Sequence, residues 1–188
     1  MHSGKKGASH MAALVVVGHP DLGESVINRH WVEALRRHSE LCDAHVLAEA
    51  YPDGQIDAER ERRLVDSHDA LILQFPLYWF NCPPLVKQWL DDVLTHGWAC
   101  GVGGNALRNK PVALAVSADI AQPDYSAEGR YRYTLKELLT PFETTFDYCH
   151  ADYRPFFALY GTAHAPSEEH ISQNAEAYVQ FVRDLQSR

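Results

Sequence analysis

The chain has 188 residues, is 46% hydrophobic and 22% charged, and carries a net charge of −8. That balance suits a single globular domain, which at this size can bury about 70% of its unfolded surface without staples. The acidic charge, with no basic run or stripe, argues against a nucleic-acid partner, and no apolar run nears the roughly 20 residues of a membrane-spanning helix.

Residues 1–10 are polar and lack the apolar core of a secretory signal. They read as an unstructured leader ahead of a natural start at Met11, with residues 11–188 as one domain. Ala12 to Val17 is a short, continuous apolar run, the mark of a strand buried on both faces. Gly18 to Ser25 is turn-rich, and a helical pattern follows at Ile27, Trp31, Ala34 and Leu35. A strand, a loop and a helix start within so short a span make a corner suited to an anion. His19 adds an imidazole there, Ser25 a hydroxyl and Asn28 an amide. The same residues also fit a plain helix cap by Ser25 or Glu24. The loop has neither Gly-x-Gly-x-x-Gly nor the P-loop pattern.

Ala44 to Leu47 reads as a second strand, and Tyr51 to Ile56 as a turn-rich loop. Asp57 is placed to cap a polar helix, with Glu59, Arg60, Glu61, Arg62 and Arg63 on a solvated face. Ala70 to Phe75 is a third, fully buried strand, ended by Pro76, which has no N–H for the ladder. Leu77-Tyr78-Trp79-Phe80 forms an aromatic loop. Pro83 and Pro84 suit a helix's first turn, and Leu85, Val86, Trp89, Leu90 and Val93 give that helix one apolar face, with Gly97 as its stop. Aromatic residues in a loop can wall a flat ligand or pack a core.

Residues 97–110 are a glycine-rich excursion of the kind that often acts as a lid. Pro111 to Val116 is a fourth strand, followed by a long loop through Tyr125. A helix is expected over 134–148, a fifth strand over 153–160 interrupted by Pro155, and a last amphipathic helix over 167–188. The four cysteines show no metal-ligand spacing and read as reduced thiols of a cytosolic protein. Cys82 beside the aromatic loop is either reactive or small filler. The histidines make no ligand pair, so no metal site is expected.

Strands alternating with helices predict an α/β, flavodoxin-like, doubly wound parallel sheet of five strands, order 2-1-3-4-5, with helices on both faces. In that order the first and third strands are neighbours at the switch point, so the anion corner faces the aromatic loop. A phosphate beside a flat wall fits a flavin nucleotide.

Three stretches carry a resemblance. They are Gly-His-Pro with Ser25 and Asn28, the block Phe75 to Trp89, and Thr-His-Gly-Trp-Ala-Cys-Gly-Val-Gly-Gly-Asn-Ala-Leu from Thr95. Together they resemble the NAD(P)H:quinone oxidoreductases of the DT-diaphorase type. The Tyr-Pro-Asp stretch at 51–53 and Pro155-Phe156-Phe157 resemble the small bacterial members, which include the ancillary oxidoreductases of glutathione-regulated potassium-efflux antiporters. The resemblance implies bound FMN, with FAD as the other option, and NAD(P)H as co-substrate. It also implies two-electron ping-pong transfer to a quinone-like acceptor. His19, Ser25 and Asn28 would hold the phosphate side, and Leu77, Tyr78, Trp79 and Phe80 would line the ring. Tyr125 falls where the family places a proton-donating tyrosine. The family also implies a cytoplasmic homodimer with sites at the interface, the stretch from Trp98 to Gly104 reaching the partner. The alternative function is a regulatory subunit docked on an antiporter at the inner membrane face; a one-electron carrier is a third reading. One departure stands out: where the family has Thr-Thr-Gly-Gly, this chain has Ser117-Ala118-Asp119-Ile120. Ser117, Ala118 and Asp119 are therefore expected at the ring, and a carboxylate there would disfavour an anionic reduced flavin.

Overall fold

The structure, a computed structural model, describes residues 12–187. The leader expected at residues 1–10 lies outside the described residues. In chain order the elements are β1 (Ala13–Val17), α1 (Ile27–Arg36), β2 (Cys42–Val46), α2 (Leu47–Ala50), α3 (Ala58–Asp66), β3 (Ala70–Pro76) and α4 (Pro84–Val93). Then come β4 (Pro111–Ala118), α5 (Leu135–Leu138), α6 (Thr140–Tyr148), β5 (Asp152–Tyr153), β6 (Phe157–Tyr160) and α7 (Glu168–Gln186).

All strand pairs are parallel, in the order β2-β1-β3-β4-β5, with β6 also paired to β4. The flavodoxin-like order expected from the sequence is the one observed. β1, β3 and β4 are central, and their side chains alternate between two apolar layers. Leu14, Val16, Leu71, Leu73 and Phe75 join the layer that packs Val86 and Trp89 of α4 and Phe142 and Phe146 of α6. Ala13, Val15, Val17 and Ile72 join the layer that packs Trp31 of α1 and Tyr178 of α7. Burial on both faces is why these strands read as nearly continuous apolar runs.

The edges depart from expectation. β2 begins at Cys42, two residues before the expected Ala44, and its middle residues are partly exposed, as an edge strand allows. Leu47 leaves it to start α2. The fifth strand is two pieces rather than one. β5 pairs with Pro111 and Val112, whereas β6 pairs with Ala115 to Ala118, and Pro155 lies in the gap. The helix expected over 134–148 is also two. Thr134 opens α5 with a reciprocal capping box to Glu137, and α6 restarts with Pro141 in its first turn. α4 stops at Leu94, before Gly97; Gly97 adopts φ 87° in the next loop and donates to the Cys100 carbonyl at 2.8 Å. No helix among the described residues is long and apolar enough to cross a membrane.

α3 is capped as expected, Asp57 Oδ1 accepting the Arg60 N–H at 3.0 Å. Its charge run is not wholly solvated, however. Glu61 is 0% exposed and points inward, the carboxylate accepting from Tyr51 Oη at 2.6 Å, His45 Nε2 at 2.8 Å and Trp89 Nε1 at 2.8 Å. Three donors, from β2, from α4 and from Tyr51 just after α2, explain how a carboxylate can sit on the buried side of α3 beside Val65.

Candidate functional site

The carboxyl ends of β1, β3 and β4 frame a cleft of about 280 Å³. It is lined by His19, Ser25, Val26, Ile27 and Asn28 from the first corner, by Pro76, Leu77 and Tyr78 after β3, and by Ser117, Asp119 and Thr162 beyond β4 and β6. The corner after β1 and the loop after β3 therefore face one another across the switch point, as the strand order requires. Gly18 permits the approach of α4 here: a Cβ on it would lie 1.9 Å from Val86 Cγ2.

The first corner is built from donors. Asp21 Oδ1 accepts the N–H groups of Gly23 and Glu24 at 3.0 and 3.3 Å, which shapes the loop. Ser25 Oγ accepts the Asn28 N–H at 3.1 Å, so the plain capping reading holds, and Ser25 lines the cleft as well. Val26 and Ile27 open the helix, and amides of a first turn have no carbonyl four residues back to bond. His19 Nδ1 accepts the Asp21 N–H at 3.1 Å, so the neutral ring carries its hydrogen on Nε2. Burial keeps the His19 imidazole below its ordinary pKa, although Asp21 opposes this. Ser25→Ala is expected to cost about 1 kcal/mol of stability through the lost cap, measured by urea unfolding.

Asn28 is 1% exposed and Gln74 0% exposed, and together they orient Ser117. Gln74 Nε2 donates to the Asn28 carbonyl and to Asn28 Oδ1, both at 3.2 Å; Asn28 Nδ2 then donates to Ser117 Oγ at 2.9 Å. The direction of this chain is unambiguous, because a backbone carbonyl can only accept. Gln74 must turn its NH₂ toward it, Asn28 must turn its oxygen toward Gln74, and Ser117 Oγ must accept. The Ser117 hydroxyl hydrogen is thereby left to donate into the cleft. Gln74 Oε1 is buried without a partner. Gln74 carries one signal in the sequence: it is the single polar residue inside the apolar run from Ala70 to Phe75.

The aromatic loop is a tight turn. Leu77 N–H donates to the Ser117 carbonyl at 2.8 Å, and Tyr78 and Asn81 exchange backbone hydrogen bonds of 2.9 and 3.0 Å. Between them Trp79 and Phe80 have φ of 51° and 60°, as in a type I′ turn. Such turns favour Asn and Gly. Two bulky residues held there store backbone strain, which concentrates at ligand sites. The three aromatic side chains diverge: Tyr78 lines the cleft, Trp79 is 94% exposed, and Phe80 packs on Tyr131 at 5.0 Å between centroids.

His19, Ser25, Asn28, Leu77, Tyr78, Ser117 and Asp119 thus share one cleft, whereas Trp79, Phe80, Ala118 and Tyr125 lie off its lining. Ala118 is 0% exposed within the core, and Tyr125 is buried against Tyr131 and Tyr160, its hydroxyl pushed up to about 12 by burial. Ile120 packs against the core rather than into the cleft. Asp119 is exposed and accepts the Thr162 hydroxyl at 2.6 Å. Thr162 was not foreseen, since nothing in its local sequence places it beside β4. Cys82, next to the turn, is a free thiol raised above its ordinary pKa by burial, the setting of an inert cysteine. The stretch from Trp98 to Gly104 is held down at one end. Trp98 Nε1 donates to Asp66 Oδ2 at 3.4 Å and its ring lies under Arg62, while Val102 is 91% exposed.

The doubly wound parallel sheet with a cleft at its switch point is that of a flavodoxin-like fold. Residues 11–182 match the family model described as flavodoxin-like fold, and the chain belongs to that family. It is 42% identical over 173 residues to the uncharacterized NAD(P)H oxidoreductase YrkL of Bacillus subtilis, covering 92% of this chain and 98% of that protein. It is 34% identical over 176 residues to KefG, an ancillary protein of the glutathione-regulated potassium-efflux system of Yersinia pestis, covering 93% and 95%. Among solved structures it resembles general stress protein 14 of Treponema denticola in complex with FMN, with a TM-score of 0.89, 42% identity and coverage of 93% and 99%. It also resembles an NADPH-quinone reductase of P. pentosaceus, with a TM-score of 0.83, 29% identity and coverage of 92% and 98%.

Proposed function

We propose that the chain is an FMN-dependent NAD(P)H:quinone oxidoreductase, in which NAD(P)H and a quinone-like acceptor occupy one cleft in turn. The observation that carries this reading is the convergence of three donors and an apolar wall at the switch point. The donors are His19 Nε2, the first amides of α1 and the Ser117 hydroxyl; the wall is Leu77 and Tyr78. The FMN-bound relative at 42% identity and the quinone reductase at 29% agree with it. FMN, when bound, supplies the two-electron chemistry, while the protein supplies position and electrostatics.

The residues fit such a ligand from its tail upward. The corner from His19 to Asn28 offers uncharged donors and the positive end of a helix to a phosphate. Leu77 and Tyr78 exclude water from one side of a flat ring. Ser117 donates to an acceptor atom of the ligand. A cleft of about 280 Å³ lies just below the about 300–1,000 Å³ usual for small-molecule sites, so one chain would enclose a flavin nucleotide only in part. The exposed Trp79 and Val102 are the apolar residues a second copy would cover, in keeping with a homodimer.

The purified full chain, mixed with FMN and desalted, is expected to be yellow and to oxidise NAD(P)H in the presence of a quinone. A colourless protein that retains neither FMN nor FAD sinks the reading. The KefG relative favours a second role, docking on a potassium-efflux antiporter at the inner membrane face with or without turnover. Co-purification with an antiporter's cytoplasmic domain tests that role independently of flavin.

A further inference from the structure

One group in the cleft has no part in the fold or in the donor corner. Asp119 leaves the end of β4 exposed, and Thr162, in the turn after β6, donates its hydroxyl to Oδ1 at 2.6 Å. A second tie runs alongside, from the Gly161 N–H to the Ile120 carbonyl at 3.0 Å. These contacts hold the carboxylate at the cleft. Among the described residues no side chain donates to Oδ2.

The charge inventory of the lining is lopsided. No lysine or arginine is among the lining residues, and Asp119 is their one carboxylate. His19 does not offset it, since its Nδ1 is occupied as an acceptor and burial favours the neutral ring. The helix end and the amides that attract an anion belong to the corner before Asn28, whereas Asp119 comes from the opposite wall, beyond β4. The donors of the cleft thus gather at the corner, while Asp119 is a negative charge with no cationic side chain among the lining residues.

We propose that Asp119, clamped by Thr162, is the charge-selecting residue of this cleft: it favours a neutral oxidised flavin ring over a negatively charged reduced one. This rests on the flavin reading above. Hydride addition brings two electrons and one proton, so the reduced ring is an anion unless a second proton is taken from water. A carboxylate held at the cleft repels that anion, and a ring bound beside it displaces part of the water that would otherwise screen the two charges. Oxidised FMN is therefore held more tightly than reduced FMN, and the bound couple shifts to lower potential, toward easier donation to an acceptor.

The test is the ratio of dissociation constants for reduced and oxidised FMN, measured anaerobically on the full chain. Asp119→Asn keeps the shape and removes the charge, and is expected to lower the ratio at least tenfold. That corresponds to a rise of about 30 mV in the two-electron potential of bound FMN, readable by dye equilibration. Asp119→Glu keeps the charge and should stay close to the wild type. Thr162→Val frees the carboxylate to swing into solvent and should move the ratio in the direction of Asp119→Asn, by less. An unchanged ratio in Asp119→Asn overturns the proposal and leaves the flavin reading standing. A wild-type chain that binds FMN in neither state overturns both.

Discussion

Replacing Glu61 with alanine is expected to lower the free energy of unfolding by about 3–5 kcal/mol, measured by urea denaturation at neutral pH. The substitution strips Tyr51 Oη and the fully buried Trp89 Nε1 of their acceptor, each an orphaned donor costing about 1–3 kcal/mol, and leaves a void beneath α3. Burial alone would raise the Glu61 carboxyl, but the hydrogen bonds from His45, Tyr51 and Trp89 outweigh it and hold the group below its ordinary value of 4.5. A carboxyl depressed in the folded state contributes stability that is present above the ordinary value and is lost as pH falls through the folded one. Part of the wild type's acid sensitivity below about pH 4.5 should therefore be missing from Glu61→Gln, which has no proton to gain there.

Gln74→Leu is expected to do the opposite: little to stability and much to ligand binding. Leucine removes the orphaned Oε1 but leaves one side of the Asn28 amide, itself 1% exposed, without its partner, so one unsatisfied buried group is exchanged for another and the net cost is small. The Asn28 amide then loses the donor that fixes its direction. Once free to turn, it can present its oxygen to Ser117 and draw that hydroxyl away from the cleft. One lost hydrogen bond of about 1.4 kcal/mol is a tenfold loss of affinity, so FMN should bind about ten times more weakly. Fluorescence titration of FMN together with urea unfolding separates the two effects. Equal affinity in Gln74→Leu and wild type would show that the buried chain has no bearing on the site.

What could be read from residues alone follows how strongly each local pattern is constrained. β1, β3 and β4 are buried on both faces, so their composition announced them, and the parallel crossovers then set the strand order. α4 and α7 were visible because each keeps its apolar residues to one face. The failures occur where tertiary contacts overrule a local signal. Glu61 sits in a run of charges that suits solvent, and only donors brought by β2, α4 and Tyr51 make an interior position tolerable. The Trp79-Phe80 turn lacks Asn or Gly, so no turn pattern marked it, and the opposite directions of its side chains depend on that geometry. Pro155 marks an interruption in the sequence, yet two short strands pairing with separate stretches of β4 follow only from the partner's register. Seven of the proposed ligand residues lie on one cleft because strand order alone brings their loops together. Gln74 and Thr162 escaped notice because their roles exist only across elements.

The split at Pro155 also bears on how the molecule behaves in company. A sheet rim with an intact strand is a template on which a foreign backbone can zip up, residue by residue. Here β5 supplies two residues and β6 four, with an imino acid between them that has no hydrogen to offer. A chain docking along that rim would find its ladder cut after a single step, which blunts this edge of the sheet against edge-to-edge pairing.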